Sequence, residues 1–251
     1  MGKSVRTRSG KGSSNQSQYS PAEERYVGWL DVMGSGLMME HSFAVARYRV
    51  FLFHAFAIHA KVHASAQRTT DVKVIPMGDG LFVVTKKLDA LLEFIDVLYA
   101  SIVKNGVDVI RGKNPHQAFL VRAAIAHGSV GSFDKYLGSL RRKAPDNYKQ
   151  HAQNVLVGPP VSVAYRHESL APPMGIFVHT SVLQRECHIN GSMNEVQLSS
   201  PYHRWKYDGL DVLQFVDDYF TYQDEHAHEL GYDKSRSQQY REMAQEYFQK
   251  K

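Results

Sequence analysis

The chain has 251 residues, room for one large domain or two small ones and ample length for a real core. With 43% hydrophobic and 22% charged residues it is too apolar for a disordered chain, and no apolar run approaches the roughly 20 residues that span a bilayer. The single cysteine, Cys187, excludes an intrachain disulfide and a zinc site built on several thiolates.

The start, Met-Gly-Lys-Ser-Val-Arg-Thr-Arg, lacks the apolar segment of a signal peptide, so the expected setting is reducing and cytoplasmic, without membrane attachment. The net charge of +5 hints at nucleic acid until it is located. Residues 1–20 carry Lys3, Arg6, Arg8 and Lys11 and no acid, which leaves the rest of the chain at +1. That segment is rich in Ser and Gly and reads as a disordered basic tail. Residues 21–251 read as a single domain with no nucleic-acid partner.

Residues 25–33 read as a strand, and Asp31 near its end is followed by Gly34-Ser35-Gly36. From Leu37 to about Ala66 there is no Gly or Pro, which predicts one long, mostly buried helix. Residues 71–78 and 81–85 are apolar, β-rich runs joined across Gly78-Asp79-Gly80, a strong hairpin signal. Leu88, Leu91, Leu92, Ile95, Leu98 and Ile102 then repeat at helical spacing, and Asn105-Gly106 predicts a stop. Residues 118–127 read as a strand ending at Gly128. The order β-α-β-β-α-β is the ferredoxin-like unit of an α+β fold, with helices expected on one face of the sheet. Residues 134–151 are polar and basic and look like an excursion from the core. Gly158-Pro159-Pro160 predicts a helix start. Residues 175–179 and 210–216 read as strands, and 235–250 as a polar C-terminal helix.

Two acids sit where structural roles are hard to supply. Asp31 ends a strand otherwise built of Val, Trp and Leu, and Asp79 occupies the tip of an apolar hairpin. In a βαββ unit the first strand lies beside that hairpin, so carboxylates 48 positions apart converge. Converging carboxylates repel unless a cation lies between them, and oxygen ligands favour Mg²⁺ or Mn²⁺. Gly34 and Gly36 add backbone N–H groups at a helix start, a phosphate cradle. Taken singly, Asp79 also reads as a turn residue and Asp31 as a helix cap. Their coincidence with the glycine turn favours a site.

WLDVMGSG, PMGDGLFVVT, VRAAIAHGSV and VLVGPPVSVAYR follow one another at the spacing of the blocks of class III nucleotide cyclase catalytic domains, and over residues 25–180 the chain resembles that family. The resemblance implies a homodimer with catalytic sites at the subunit interface. It implies two divalent metal ions, Mn²⁺ or Mg²⁺, held by Asp31, Asp79 and the backbone carbonyl of Val32. It further implies that Arg166 is the transition-state arginine, supplied by the opposite subunit.

Departures from the family pattern point to the base. Purine cyclases place polar base-reading residues where this chain has Ile75 and Val155, neither of which hydrogen-bonds a purine edge. Ser162 stands where the family usually has asparagine. The cluster Arg47-Tyr48-Arg49 in the first helix offers a stacking surface, with Tyr48 under the base and Arg47 nearby. This combination resembles the bacterial pyrimidine cyclases of anti-phage signalling. It implies UTP, or with less support CTP, as substrate, and a separate cyclic-nucleotide receptor or effector for the product. The substrate-binding set is then Gly34, Ser35, Gly36, Arg47, Tyr48, Ile75, Val155 and Ser162. Two alternatives stay open: a purine cyclase with an unusual pocket, and a catalytically silent nucleotide-binding module. His59 and His63 lack the glutamate of an HExxH zinc site, Ser162 has no nucleophile elbow, and no phosphate loop with Gly-Lys-Ser/Thr occurs.

Overall fold

The computed structural model describes residues 22–66, 72–112, 114–132, 154–190, 202–203, 205 and 211–249. The basic tail 1–20 and the segment 134–151 lie outside the described residues. Strands β1 (Glu23–Val32), β2 (Lys73–Met77), β3 (Gly80–Thr85), β4 (Val121–Ser132), β5 (Leu156–Val157), β6 (Ile176–Val178) and β7 (Tyr202–His203) form one sheet. Its order is β2-β3-β1-β4-β6-β7, with β5 added to β4. The pairs β1–β3, β1–β4 and β2–β3 are antiparallel and β4–β6 is parallel. With helices α1 (Ser35–His41), α2 (Phe43–Ala66) and α3 (Leu88–Ile110) between these strands, the βαββαβ order expected from the sequence is present.

One face of the sheet carries the main core. Tyr26, Leu30 and Val32 of β1, Leu81 and Val83 of β3, and Val121, Ala123 and Ile125 of β4 pack with Phe53, Ala57 and Ala60 of α2 and Leu91, Phe94 and Leu98 of α3. Each such side chain as Phe53, removed from water entirely, contributes about 1.5–3 kcal/mol. The alternate residues Val27, Trp29, Ile75, Phe82, Val84, Ala126 and Val130 point to the opposite face, where Ala164 of α4 (Pro159–His167) covers them with Val161 and Val163. Helices therefore lie on both faces, not one. A period-2 strand with apolar residues at odd and even positions alike demands a cover on each side.

Three further expectations change. The helix after Asp31 is broken at Ser42, whose backbone leaves the helical region and whose Oγ donates to the carbonyl of Glu229 at 2.5 Å. Nor is it mostly buried: Tyr48, Phe51, Ile58 and Val62 of α2 are exposed while Ala46, Phe53, Ala57, Ala60 and Ala64 are buried. Gly106 does not stop α3, which runs on to Ile110. A Cβ at Gly106 would lie 2.3 Å from the ring of Phe215, so glycine is there to admit a neighbouring helix. That neighbour is α6 (Val212–Glu225), in the region read as a strand. Val212, Phe215, Val216, Tyr219 and Phe220 are buried at helical spacing, and Asp211 Oδ1 accepts from the Gln214 amide at 2.9 Å as an N-cap. Helices α5 (Thr180–Asn190), α7 (Ala227–Leu230) and α8 (Ser237–Gln249) complete the described α-helices, and α8 packs against α6.

Candidate active site

Strand pairing brings the two acids together. Asp31 is in register with Gly80 on one side and Arg122 on the other, so the residue next to Asp79 in the chain is cross-strand partner to Asp31. This pairing depends on glycine at 80. A Cβ there would lie 2.4 Å from the indole of Trp29, and the same indole packs on Phe82 at 4.5 Å and on Tyr165 of α4 at 5.3 Å. The tip of the hairpin is held from two directions. Ser35, buried at the start of α1, donates its hydroxyl to Asp79 Oδ2. His54 of α2 donates from Nε2 to the carbonyl of Gly78 at 3.3 Å.

The charges around this point are unbalanced. Burial, the carboxylates of Glu168 and Asp79 acting with it, pushes the Asp31 carboxyl up to about 7, against a partial opposing effect of Arg122. Glu168, the first residue of the short turn Glu168–Leu170 after α4, is also raised, chiefly by its own burial. Arg122 donates from Nε to Glu168 Oε1. Three carboxylates and one guanidinium thus share the end of β1. The Asp31 carboxylate makes no hydrogen bond or ion pair among the described residues. A half-buried carboxylate that repels its neighbours and lacks a donor suits a cation, and oxygen donors suit Mg²⁺ or Mn²⁺. Asp31 and Asp79 are the residues that would hold it. No cluster of three or more His, Cys, Asp or Glu side chains placed to ligate a metal occurs among the described residues.

The remaining sequence-predicted residues divide into near and far. Val32 follows Asp31 at the end of β1. Gly34 and Gly36 are exposed at the turn into α1, and a Cβ on Gly36 would meet nothing within 4 Å, so the space before that backbone is open. The Arg47-Tyr48-Arg49 cluster is split by the helix. Arg49 is buried and donates to the carbonyl of His116 at 2.7 Å and to the Tyr219 hydroxyl at 3.2 Å. Arg47 and Tyr48 face solvent, the Arg47 guanidinium 5.8 Å from the Phe43 ring. Ile75 is 3% exposed and packed in the second-face core. Val155 is half-buried beside β5, and Ser162 and Arg166 are exposed on α4, the Arg166 Nε donating to the Ser162 carbonyl at 3.3 Å. No hydrogen bond or ion pair joins Arg47, Tyr48, Ile75, Val155, Ser162 or Arg166 to the two acids among the described residues.

Sequence reasoning missed Arg122, Glu168 and His54. Arg122 carries a readable signal, since a lone charge interrupts the apolar run AFLVRAAIA. Glu168 and His54 carry none that is local. Also unforeseen is a cavity of about 170 Å³ behind the Met33–Gly34 turn, walled by Arg122 and by Tyr219, Tyr232, Arg236 and Tyr240 of the C-terminal helical layer.

No protein-family model matches the chain, and no curated protein matches it. Solved structures that it resembles include the guanylyl cyclase Cya2, at 17% identity over 66% of this chain and 80% of that one, TM-score 0.46. An adenylate/guanylate cyclase/hydrolase from Silicibacter pomeroyi shares 18% identity over 68% and 86%, TM-score 0.45. The catalytic core of a rhodopsin-guanylyl cyclase with converted specificity, in complex with ATPαS, shares 17% over 66% and 82%, TM-score 0.41. At these identities and scores the likeness assigns neither family nor activity.

Proposed function

We propose that the chain is a nucleotidyl cyclase that converts a pyrimidine nucleoside triphosphate, UTP before CTP, to its 3′,5′-cyclic monophosphate and pyrophosphate. The observation that carries the reading is the meeting of Asp31 and Asp79, 48 positions apart, beside an open glycine turn, with the Asp31 carboxylate half-buried and undonated. In this reaction the ribose 3′-oxygen loses its proton and bonds to the α-phosphorus, while the bond from that phosphorus to the bridging oxygen breaks and pyrophosphate leaves. Divalent cations on the two acids would supply a lowered pKa at the 3′-hydroxyl and charge neutralisation at the phosphates. The chain's own groups do the rest. Ser35 fixes the orientation of Asp79, and the Gly34–Gly36 backbone offers N–H groups to phosphate oxygens. Arg122, beside the carboxylates and paired with Glu168, offsets part of their negative charge. Arg166 makes no ion pair among the described residues and sits on an exposed helix face, which suits a guanidinium offered to the site of a second subunit in a homodimer.

The choice of base rests on Ile75 and Val155, which offer no hydrogen-bonding side chain where a purine edge requires one. An unsatisfied purine group costs about 1–3 kcal/mol. Tyr48 is the stacking residue of this reading, its ring open on the outer face of α2. A place in anti-phage signalling, with a separate receptor for the product, follows from the sequence resemblance alone. The test is incubation of the pure protein with each of four nucleoside triphosphates and Mn²⁺. Cyclic UMP as the main product is expected. Cyclic AMP or cyclic GMP instead would overturn the base assignment and leave the cyclase, and no cyclic product from any of the four would overturn both.

A further inference from the structure

Arg122 stands directly across from Asp31 on the neighbouring antiparallel strand, so the two side chains leave the sheet on the same face. Opposite charges in that relation ordinarily pair. Here they do not. Arg122 turns to Glu168, which arrives from the end of α4, 46 positions further along the chain. The pair is well enclosed, with 16% of the Arg122 side chain and 10% of that of Glu168 exposed. Asp31 is left without a donor.

We propose that Glu168 is a positioning residue that draws Arg122 away from Asp31 and so keeps Asp31 free for a divalent cation. The inference rests on the reading of Asp31 as a cation ligand. Without Glu168 the guanidinium has one half-buried carboxylate of opposite charge across the strand, and an ion pair there would compete with any cation for the same oxygens. Glu168 also adds a negative charge to the neighbourhood and cancels that of Arg122. An opposite charge within about 4–6 Å changes the proton affinity of a carboxylate by 1–3 pKa units, a factor of ten or more, and a dication meets the same field. Because Glu168 continues directly from α4, the helix that covers the second face of the sheet also sets the charge state of the site.

The test is Mn²⁺ binding to the full chain without nucleotide, followed by titration calorimetry or electron paramagnetic resonance. The parent protein should bind, and Asp31→Asn should abolish binding. Glu168→Gln should weaken Mn²⁺ binding by about tenfold or more. Arg122→Ala should bind at least as tightly as the parent, and with Glu168→Gln added the neutral pair of side chains should return binding to about the level of the parent. A role in structure alone would not be relieved by a second lesion. No binding by the parent, or undiminished binding by Asp31→Asn, removes the reading of Asp31 as a ligand. Binding by the parent through Asp31 together with undiminished binding by Glu168→Gln overturns the role of Glu168 alone. That role is equally overturned if the double variant Arg122→Ala with Glu168→Gln binds Mn²⁺ tenfold more weakly than the parent. This last comparison contains no unpaired buried arginine and decides the point even where Glu168→Gln by itself fails to fold.

Discussion

Replacing Asp31 with asparagine should stabilise the cation-free protein at neutral and alkaline pH while removing its cation binding. In the folded chain the Asp31 carboxyl titrates at about 7, against an ordinary value of 3.8, with burial as the main cause and Glu168 and Asp79 adding to it. An acid whose pKa is raised by folding keeps its proton longer in the folded state than in the unfolded one. Its contribution to stability is therefore full below about pH 4, declines across the interval up to about 7, and is gone above it. A tenfold change in proton affinity corresponds to about 1.4 kcal/mol, so the rise from 3.8 to about 7 amounts to roughly 4 kcal/mol lost by pH 8. Asparagine keeps the shape of the neutral carboxyl and does not titrate. Urea denaturation of the parent and of Asp31→Asn, in a chelator between pH 5 and 8.5, measures the difference. The gap in unfolding free energy should widen in favour of the variant by a few kcal/mol as pH rises, and saturating Mn²⁺ should narrow it by acting on the parent alone. Parallel profiles for the two proteins would refute the reasoning, because they would mean that Asp31 ionises in the fold at no cost.

Asp31→Ala and Asp79→Ala should each abolish turnover and leave the fold intact, since each removes an anionic ligand and neither fills a core position; circular dichroism and product assays separate the two effects. Mixing Asp31→Ala chains with Arg166→Ala chains should restore part of the activity through hybrid dimers that hold one complete site, and failure with hybrids demonstrated would contradict a site shared between subunits. Gly106→Ala should destabilise by about 1–3 kcal/mol despite the roughly 1 kcal/mol by which alanine is the better helix former. The reason is the 2.3 Å approach to the Phe215 ring, and Phe215→Leu in the same chain should recover part of the loss in a thermal melt.

Local physics is what the sequence by itself determined. The Asp-Gly turn announced the β2–β3 hairpin, the period of Leu88 to Ile102 announced α3, and Gly158-Pro159-Pro160 announced the start of α4, because turn dihedrals and one-sided burial leave marks within a few residues. The order of those elements implied the βαββαβ sheet, and with it the approach of Asp31 to the hairpin bearing Asp79. Where burial is two-sided or a contact is distant, the local marks mislead. Gly106 reads as a helix stop until Phe215 is seen filling the space its missing Cβ leaves. Residues 210–216 read as a strand because the first turns of α6 are dense in Val, Leu and Phe, and only the α3 surface beneath them selects the helical face. The helix after Asp31 breaks at Ser42, where the backbone leaves the helical region and the hydroxyl meets a carbonyl 187 positions away. Only the tertiary structure decided the electrostatics of the site. Arg122 and Glu168 lie 46 positions apart, and a charge pair enclosed by two elements that meet in space has no periodicity or turn chemistry to betray it.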